Sequence, residues 1–214
     1  EVTDFAVLTH GNTKYPLVDP KVRPHVAILD EGLLTELPKS LIADSGFDVL
    51  SHAVEAFVAK NASAVTDALA RDAFCKAFGC LPTSFSGDTS VRLEMHLAST
   101  MAGMAFSQAG LGLCHAMAHS LGGLFHVPHG RLNAILLPSV VSFNAHVAGE
   151  KYARIARAAG VGGSADSVAV RNLRNSLIRL RRELGMPATL AEAGVKPSEV
   201  WGRQKELVSA VLAD

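Results

Sequence analysis

From about residue 31 to its end the chain is written in the period of an α-helix, and that rhythm restricts it to a mainly α fold. The clearest stretch covers residues 168–184, where Val170, Leu173, Leu177, Leu180 and Leu184 recur at spacings of three and four. Side chains at those spacings share one helix face, so the stripe needs a neighbour to bury it. Arg171, Arg174, Arg179, Arg181 and Arg182 fall on the other faces and read as a solvated outer surface. Similar patterning predicts a helix with an apolar face at Val49, Ala53, Val54 and Phe57, and a second that begins at Asp67 and is capped by Thr66. Further helices are expected over 91–107, 112–125, 131–148 and 196–214. Small residues around Gly103 should permit close helix–helix approach, and Pro138, lacking an N–H, should interrupt the helix over 131–148.

Ahead of residue 31 the pattern changes. FAVLT (5–9) and KYPLV (14–18) are short apolar runs separated by the turn-rich HGNT, which predicts a hairpin or two short strands. HVAILD (25–30) reads as a third strand. Two or three strands make a poor sheet alone, so they are expected to pair with a sheet outside this chain. The first residue is Glu1, with no signal-like segment, and the opening reads as mid-domain sequence. The expected organisation is therefore a remnant of another domain over 1–30 and a helical domain over 31–214.

The bulk numbers exclude some functions. At 49% hydrophobic and 19% charged residues the chain can bury a sizeable core. Twenty basic residues balance twenty acidic ones, which gives no electrostatic footprint for nucleic acid or an anionic membrane surface. Apolar stretches are broken by Pro, Gly, His or charge before spanning length. Three cysteines are too few for a disulfide framework and fit a reducing, cytoplasmic setting. Cys114, beside His115, reads as a small buried hydrophobe.

The chemistry lies in two places. DSGFDVLSHAVEAF sets Asp48 and His52 four residues apart, and GLCHAMAHSLGGLFHVPHG does the same with His115 and His119 before reaching His126 and His129. Residues four apart on a helix can reach one ion. Gly122, Gly123 and Pro128 let the chain turn back before His129. Carboxylate and imidazole without sulfur suit a catalytic divalent metal such as iron, zinc or manganese better than a structural zinc. The bland alternatives are specific: Asp48 as a helix N-terminal charge, and Glu55 as either a surface residue or an orienter of a ligand imidazole. His126 reads as peripheral, and His10, His25, His96 and His146 carry no spacing signal.

GLGLCHAMAHSLGGLFHVPHGRLNAILLP, with DSGFDVLSHAVEAF upstream, resembles the iron-containing (group III) alcohol dehydrogenases of the dehydroquinate-synthase-like fold. MAGMAFSQAGLGLCHAMAH is especially similar to the propanol or ethanol dehydrogenases of propanediol or ethanolamine utilisation. The resemblance is strong over 1–150 and looser beyond, and it implies a helical C-terminal metal-binding domain. It implies Asp48, His52, His115 and His129 as ligands of Fe(2+), with Zn(2+) as the alternative, and His119 in proton transfer. Phe106 would line the substrate pocket; Thr3 and Lys14 would approach the NAD(H) phosphates and ribose, and Leu29 and Leu41 its rings. It further implies interconversion of a short primary alcohol and its aldehyde by a homodimer or larger assembly, in the cytoplasm or a bacterial microcompartment. The family's GGGS-type phosphate loop and its Asn-Pro-Arg segment near the C-terminus are absent from this sequence, so the chain alone is expected to bind NAD poorly and not turn over. The alternatives are a zinc glycerol-dehydrogenase-like or hydroxyacid–oxoacid transhydrogenase enzyme and, in another class, a non-catalytic helical metal-binding module.

Overall fold

The computed structural model describes residues 2–10 and 13–213, with the side chains of residues 9, 10 and 13–16 outside that description. Helix α1 (Lys39–Val58) is the axis of the domain. Ile42, Phe47, Leu50, Ala53, Val54 and Phe57 are all buried, which covers far more of its circumference than the single face read from the sequence. A helix apolar on all sides needs neighbours on all sides. They are α2 (Ala64–Ser86), α3 (Arg92–Ala109), α4 (Leu113–Phe125) and α5 (His129–Ala158). The leucine stripe expected at 168–184 is buried on α6 (Asp166–Glu183), which packs on α5.

Several expectations need correction. Helix α2 starts at Ala64, three residues before Asp67. Ser63 is its cap: the Ser63 hydroxyl accepts from the Thr66 N–H at 3.2 Å, and the Thr66 hydroxyl accepts from the Ser63 N–H at 2.7 Å. Thr66 therefore closes a reciprocal capping box from the third helical position. Pro138 does not interrupt α5, which runs unbroken from His129 to Ala158. A proline frees the carbonyl four residues back, here Ala134, and the Arg181 guanidinium of α6 donates to that oxygen at 3.3 Å. Arg181 thus leaves the solvated face on which its neighbours remain. Helix α5 is also long and apolar enough, by length and composition, to cross a membrane, contrary to the expectation that no stretch reaches that length. Half of its apolar window is buried within the domain, as in the core helix of a globular fold. The expected last helix divides at Gly202 and Arg203 into α7 (Pro197–Gly202) and α8 (Gln204–Ala213), where glycine weakens helix propagation.

At the other end, β1 (Phe5–His10) and β2 (Thr13–Val18) form an antiparallel hairpin with Phe5 opposite Val18. The third strand does not form. Residues 26–30 have no assigned secondary structure, and Val26 and Ile28 are 77% and 86% exposed, with no strand paired to them among the described residues. The α-helical region starts at Lys39 rather than residue 31, after a 3-10 turn at Glu31–Leu34. The hairpin base docks on α3. The Asp4 N–H donates to the Ser107 hydroxyl at 3.2 Å, and Phe5 meets Phe106 edge to face at 5.5 Å. The small residues of α3 do bring helices close, with Ala98, Ala102 and Ala105 fully buried where it packs on α1 and α2, while Gly103 itself faces Val2 and Thr3: a Cβ there would lie 3.1 and 3.3 Å from their side chains.

Candidate metal centre

Three helices bring the chemistry together. Asp48, His52 and Glu55 share a face of α1 at spacings of four and three. Helix α4 presents His115 and His119 at the same four-residue spacing, and α5 contributes His129 as its first residue and Asn133 one turn on. The start of α5 is pressed onto α1. A Cβ on Gly130 would collide with the backbone of Asp44, so only glycine permits the approach. Arg131 then clamps Asp44 through Nε at 3.2 Å and Nη2 at 2.9 Å.

The imidazoles converge on one carboxylate oxygen. Asp48 Oδ1 lies 3.4 Å from His129 Nε2, 3.6 Å from His115 Nε2 and 3.9 Å from His52 Nε2. Four atoms each about 2.1 Å from a shared ion in a tetrahedron would stand about 3.4 Å apart, so the spacing fits a divalent metal. Asp48, His115 and His129 form the tight set, with ligand atoms all within 4.8 Å of one another. His52 borders that set, its ring stacked between Phe106 at 4.5 Å and His115 at 4.4 Å. His119 stacks on His129 at 5.0 Å and meets His115 at 6.2 Å.

Two buried side chains support this set of candidate ligands. Glu55, 3% exposed, accepts from the His115 Nδ1 at 2.7 Å. An ionised carboxylate only accepts, so Nδ1 carries the proton and Nε2 faces Asp48. Asn133, fully buried, donates through Nδ2 to Asp48 Oδ1 at 2.7 Å, while its Oδ1 lies 3.4 Å from the Cys114 thiol. Burial pushes the Cys114 thiol well up, which keeps it a donor; it is the small buried residue expected, with its sulfur turned to Asn133 rather than to the ligands.

The electrostatics follow from this crowding. Burial pushes the Asp48 carboxyl up, but His52, His115 and His129 together hold it far below the usual carboxylate range. Burial also raises the Glu55 carboxyl, and the hydrogen bonds from His115 and the α4 backbone bring it below its ordinary value. His52 is lowered to about 4 by burial, reinforced by the neighbouring imidazoles against the pull of Asp48. His115 feels the same burial, but the flanking carboxylates Asp48 and Glu55 raise it to about 9.

The cluster forms one wall of a cleft of about 940 Å³. Thr3 and Phe5 from the hairpin, Phe106 from α3 and Val211 and Leu212 from α8 complete much of the lining. Of the residues singled out in the sequence, Asp48, His52, His115, His119, His129, Phe106 and Thr3 meet at this cleft. Leu29 and Leu41 are not among its walls, and Leu41 is 48% exposed on the first turn of α1. Lys14 lies in β2, with its side chain outside the described residues, as is that of His10. His25, His126 and His146 are exposed and His96 half-buried, away from the cluster. Asn133 and Gly130 escaped sequence reasoning. The four-residue step from His129 to Asn133 was a usable signal; nothing local marks Gly130, because its constraint comes from Asp44, far away in the chain.

The chain belongs to the Fe-containing alcohol dehydrogenase family: residues 42–211 match the model of that family's C-terminal part. It is 43% identical over 216 residues to the NADPH-dependent butanol dehydrogenase of Clostridium saccharobutylicum, covering all of this chain and 56% of that protein. It is 44% identical over 222 residues to the 1-propanol dehydrogenase PduQ of Salmonella typhimurium, covering all of this chain and 60% of that protein. The iron-containing alcohol dehydrogenase of Thermococcus thioreducens superposes with a TM-score of 0.89 at 38% identity, over 98% of this chain and 53% of that one. The chain thus spans between half and two thirds of the length of these relatives.

Proposed function

We propose that this chain is the metal-binding part of an NAD(P)H-linked alcohol dehydrogenase that interconverts a short primary alcohol and its aldehyde. The observation that carries the reading is the convergence of Asp48, His115 and His129 on the wall of an open cleft. A non-catalytic metal module would have no need of ligands that face a cavity. His52 completes the ligand set from 3.9 Å. The chemistry of the donors fits iron(II) or zinc, and such a metal, when bound, supplies Lewis acidity toward the substrate oxygen while the nicotinamide carries the hydride.

The chain's own residues bind, orient and move the proton. Phe106, Leu111, Leu113 and Leu212 offer an apolar wall for a short hydrocarbon chain. Asn133 Nδ2 donates to Asp48 Oδ1 and lies 3.2 Å from His129 Nε2, so it orients the carboxylate within the cluster. His119, 7% exposed, lines the cleft beside His129, which supports its role in passing the hydroxyl proton toward solvent. Thr3, just ahead of the hairpin, lines the same cleft, which supports it as a cofactor contact; Lys14, Leu29 and Leu41 belong to the cofactor side of the proposal through the family resemblance alone. The 31–214 region is the catalytic helical unit and 1–30 the edge of a nucleotide-binding one. Three free cysteines fit a cytoplasmic enzyme; a homo-oligomer and a microcompartment location belong to the same proposal, through the resemblance of MAGMAFSQAGLGLCHAMAH to the dehydrogenases of propanediol or ethanolamine utilisation.

The test uses the intact enzyme. Asp48→Asn and His129→Ala should purify with little iron or zinc by elemental analysis. His119→Ala should keep its metal and lose roughly 10²–10⁴-fold in kcat. Full metal content and activity after either ligand substitution would refute the assignment.

A further inference from the structure

Glu55 lies behind the candidate ligand cluster, buried on α1, and among the described residues its carboxylate takes its hydrogen bonds from the beginning of α4. Its carboxylate accepts from the backbone N–H of Gly112 at 3.1 Å, Cys114 at 2.7 Å and His115 at 3.2 Å, and from the His115 ring at 2.7 Å. The first turn of a helix has backbone donors without partners and a positive dipole end. Helix α4 has no cap of its own, since Gly112 stands at its N-cap without a side chain. Glu55 supplies the cap from another helix. A Cβ on Gly112 would stand 2.9 Å from Glu55 Oε1, so the glycine is what admits the carboxylate.

We propose that Glu55 is the positioning residue of the metal centre: it locks His115 with its proton on Nδ1, and in the same contact pins the α4 backbone that carries the ring. The inference rests on the reading of His115 as a ligand. A neutral imidazole has one donor nitrogen and one lone pair. With the donor held at Nδ1 by Glu55, the lone pair is at Nε2, 3.6 Å from Asp48 Oδ1. The ring cannot flip without breaking its bond to Glu55, and α4 cannot shift without breaking three more. Glutamine has nearly the same shape but cannot do both jobs. Its amide places an NH₂ against donors on one side or the other, either at Cys114 N–H or at the Gly112 and His115 donors. In the second arrangement His115 accepts at Nδ1 and its proton moves to Nε2, where it blocks the metal.

The experiment compares wild type, Glu55→Gln and Thr66→Ala in the intact protein, with Zn²⁺ alone as the probe in chelator competition. Thr66→Ala removes the α2 capping box without touching the site and controls for lost stability. Glu55→Gln should bind Zn²⁺ about 10–100-fold more weakly, whereas Thr66→Ala should lower the melting temperature and leave Zn²⁺ affinity unchanged. Nitrogen-15 NMR of the Zn²⁺-loaded wild type should find the His115 proton on Nδ1 and the metal on Nε2, a result that does not depend on any variant folding. Wild-type affinity in Glu55→Gln, or His115 bound to metal through Nδ1, overturns the role of Glu55 while leaving His115 a ligand. A wild type that takes up no Zn²⁺ overturns the ligand reading itself, and this inference with it.

Discussion

Gly130→Ala adds one methyl group, and the structure turns that into a displacement of the candidate metal site. The new Cβ would stand 2.5 Å from the carbonyl carbon of Asp44 and 3.1 Å from its Cα, with the carbonyl oxygen nearer still. Non-bonded carbons rest about 3.5–4.0 Å apart, so the start of α5 must retreat from α1 by about 1 Å. The obstacle is backbone, and no rotamer change relieves it. His129 is the adjacent residue, and its Nε2 sits 3.4 Å from Asp48 Oδ1. Metal–ligand distances tolerate only about 0.2 Å, so the shift should cost that ligand and roughly 100-fold in metal affinity. Overpacking should also cost about 1–3 kcal/mol of stability, a fall of about 3–10 °C in Tm. The control is Gly149→Ala on the same helix, where an added Cβ meets nothing within 4 Å; it should be neutral or slightly stabilising. Chelator competition with Co²⁺ or Zn²⁺, paired with thermal melts, reads both effects. Wild-type affinity and Tm in Gly130→Ala would refute the claim that the α1–α5 contact sets the ligand geometry.

Two other outcomes follow from the same site. Phe106→Ala removes the ring stacked on His52 and edge-on to Phe5, so the ratio of kcat/KM for branched over short linear alcohols should rise about tenfold, at a stability cost of about 3 kcal/mol; an unchanged ratio would place the substrate elsewhere. After chelation, stability should peak near pH 6.5. His115, raised to about 9, contributes stability that is complete below 6.5 and lost as the pH climbs to 9. His52, lowered to about 4, removes stability as the pH falls from 6.5 to 4. Each limb should approach the slope of one proton, about 1.4 kcal/mol per pH unit. Urea unfolding from pH 4 to 9 measures it, and stability that rises between pH 7 and 9 would contradict the assignment of His115.

Much of the site could be read from local spacing. Asp48 with His52, and His115 with His119, announce themselves because residues four apart on a helix share a face whatever the helix packs against. The helical class and the α6 stripe follow from periodicity for the same reason. Where that rule ran out, the missing term was a distant partner. Helix α5 continues through Pro138, and the Ala134 carbonyl that the proline leaves without its helical donor is met by Arg181 of α6, a residue no local pattern points to. The third strand failed because strand formation needs a neighbouring edge, and no local pattern reports one.

By itself the sequence determined which residues could hold a metal and that helices would carry them, because both depend on side-chain chemistry and short-range geometry. Only the tertiary structure decided which nitrogens meet, since Asp48 and His129 approach across a contact that exists only where Gly130 lets α5 touch Asp44. It also decided the standing of Glu55. Three residues from His52, that side chain was as consistent with the surface as with a support for a ligand. Packing α4 against α1 buried it under four donors, and a buried carboxylate keeps its charge only where such donors surround it.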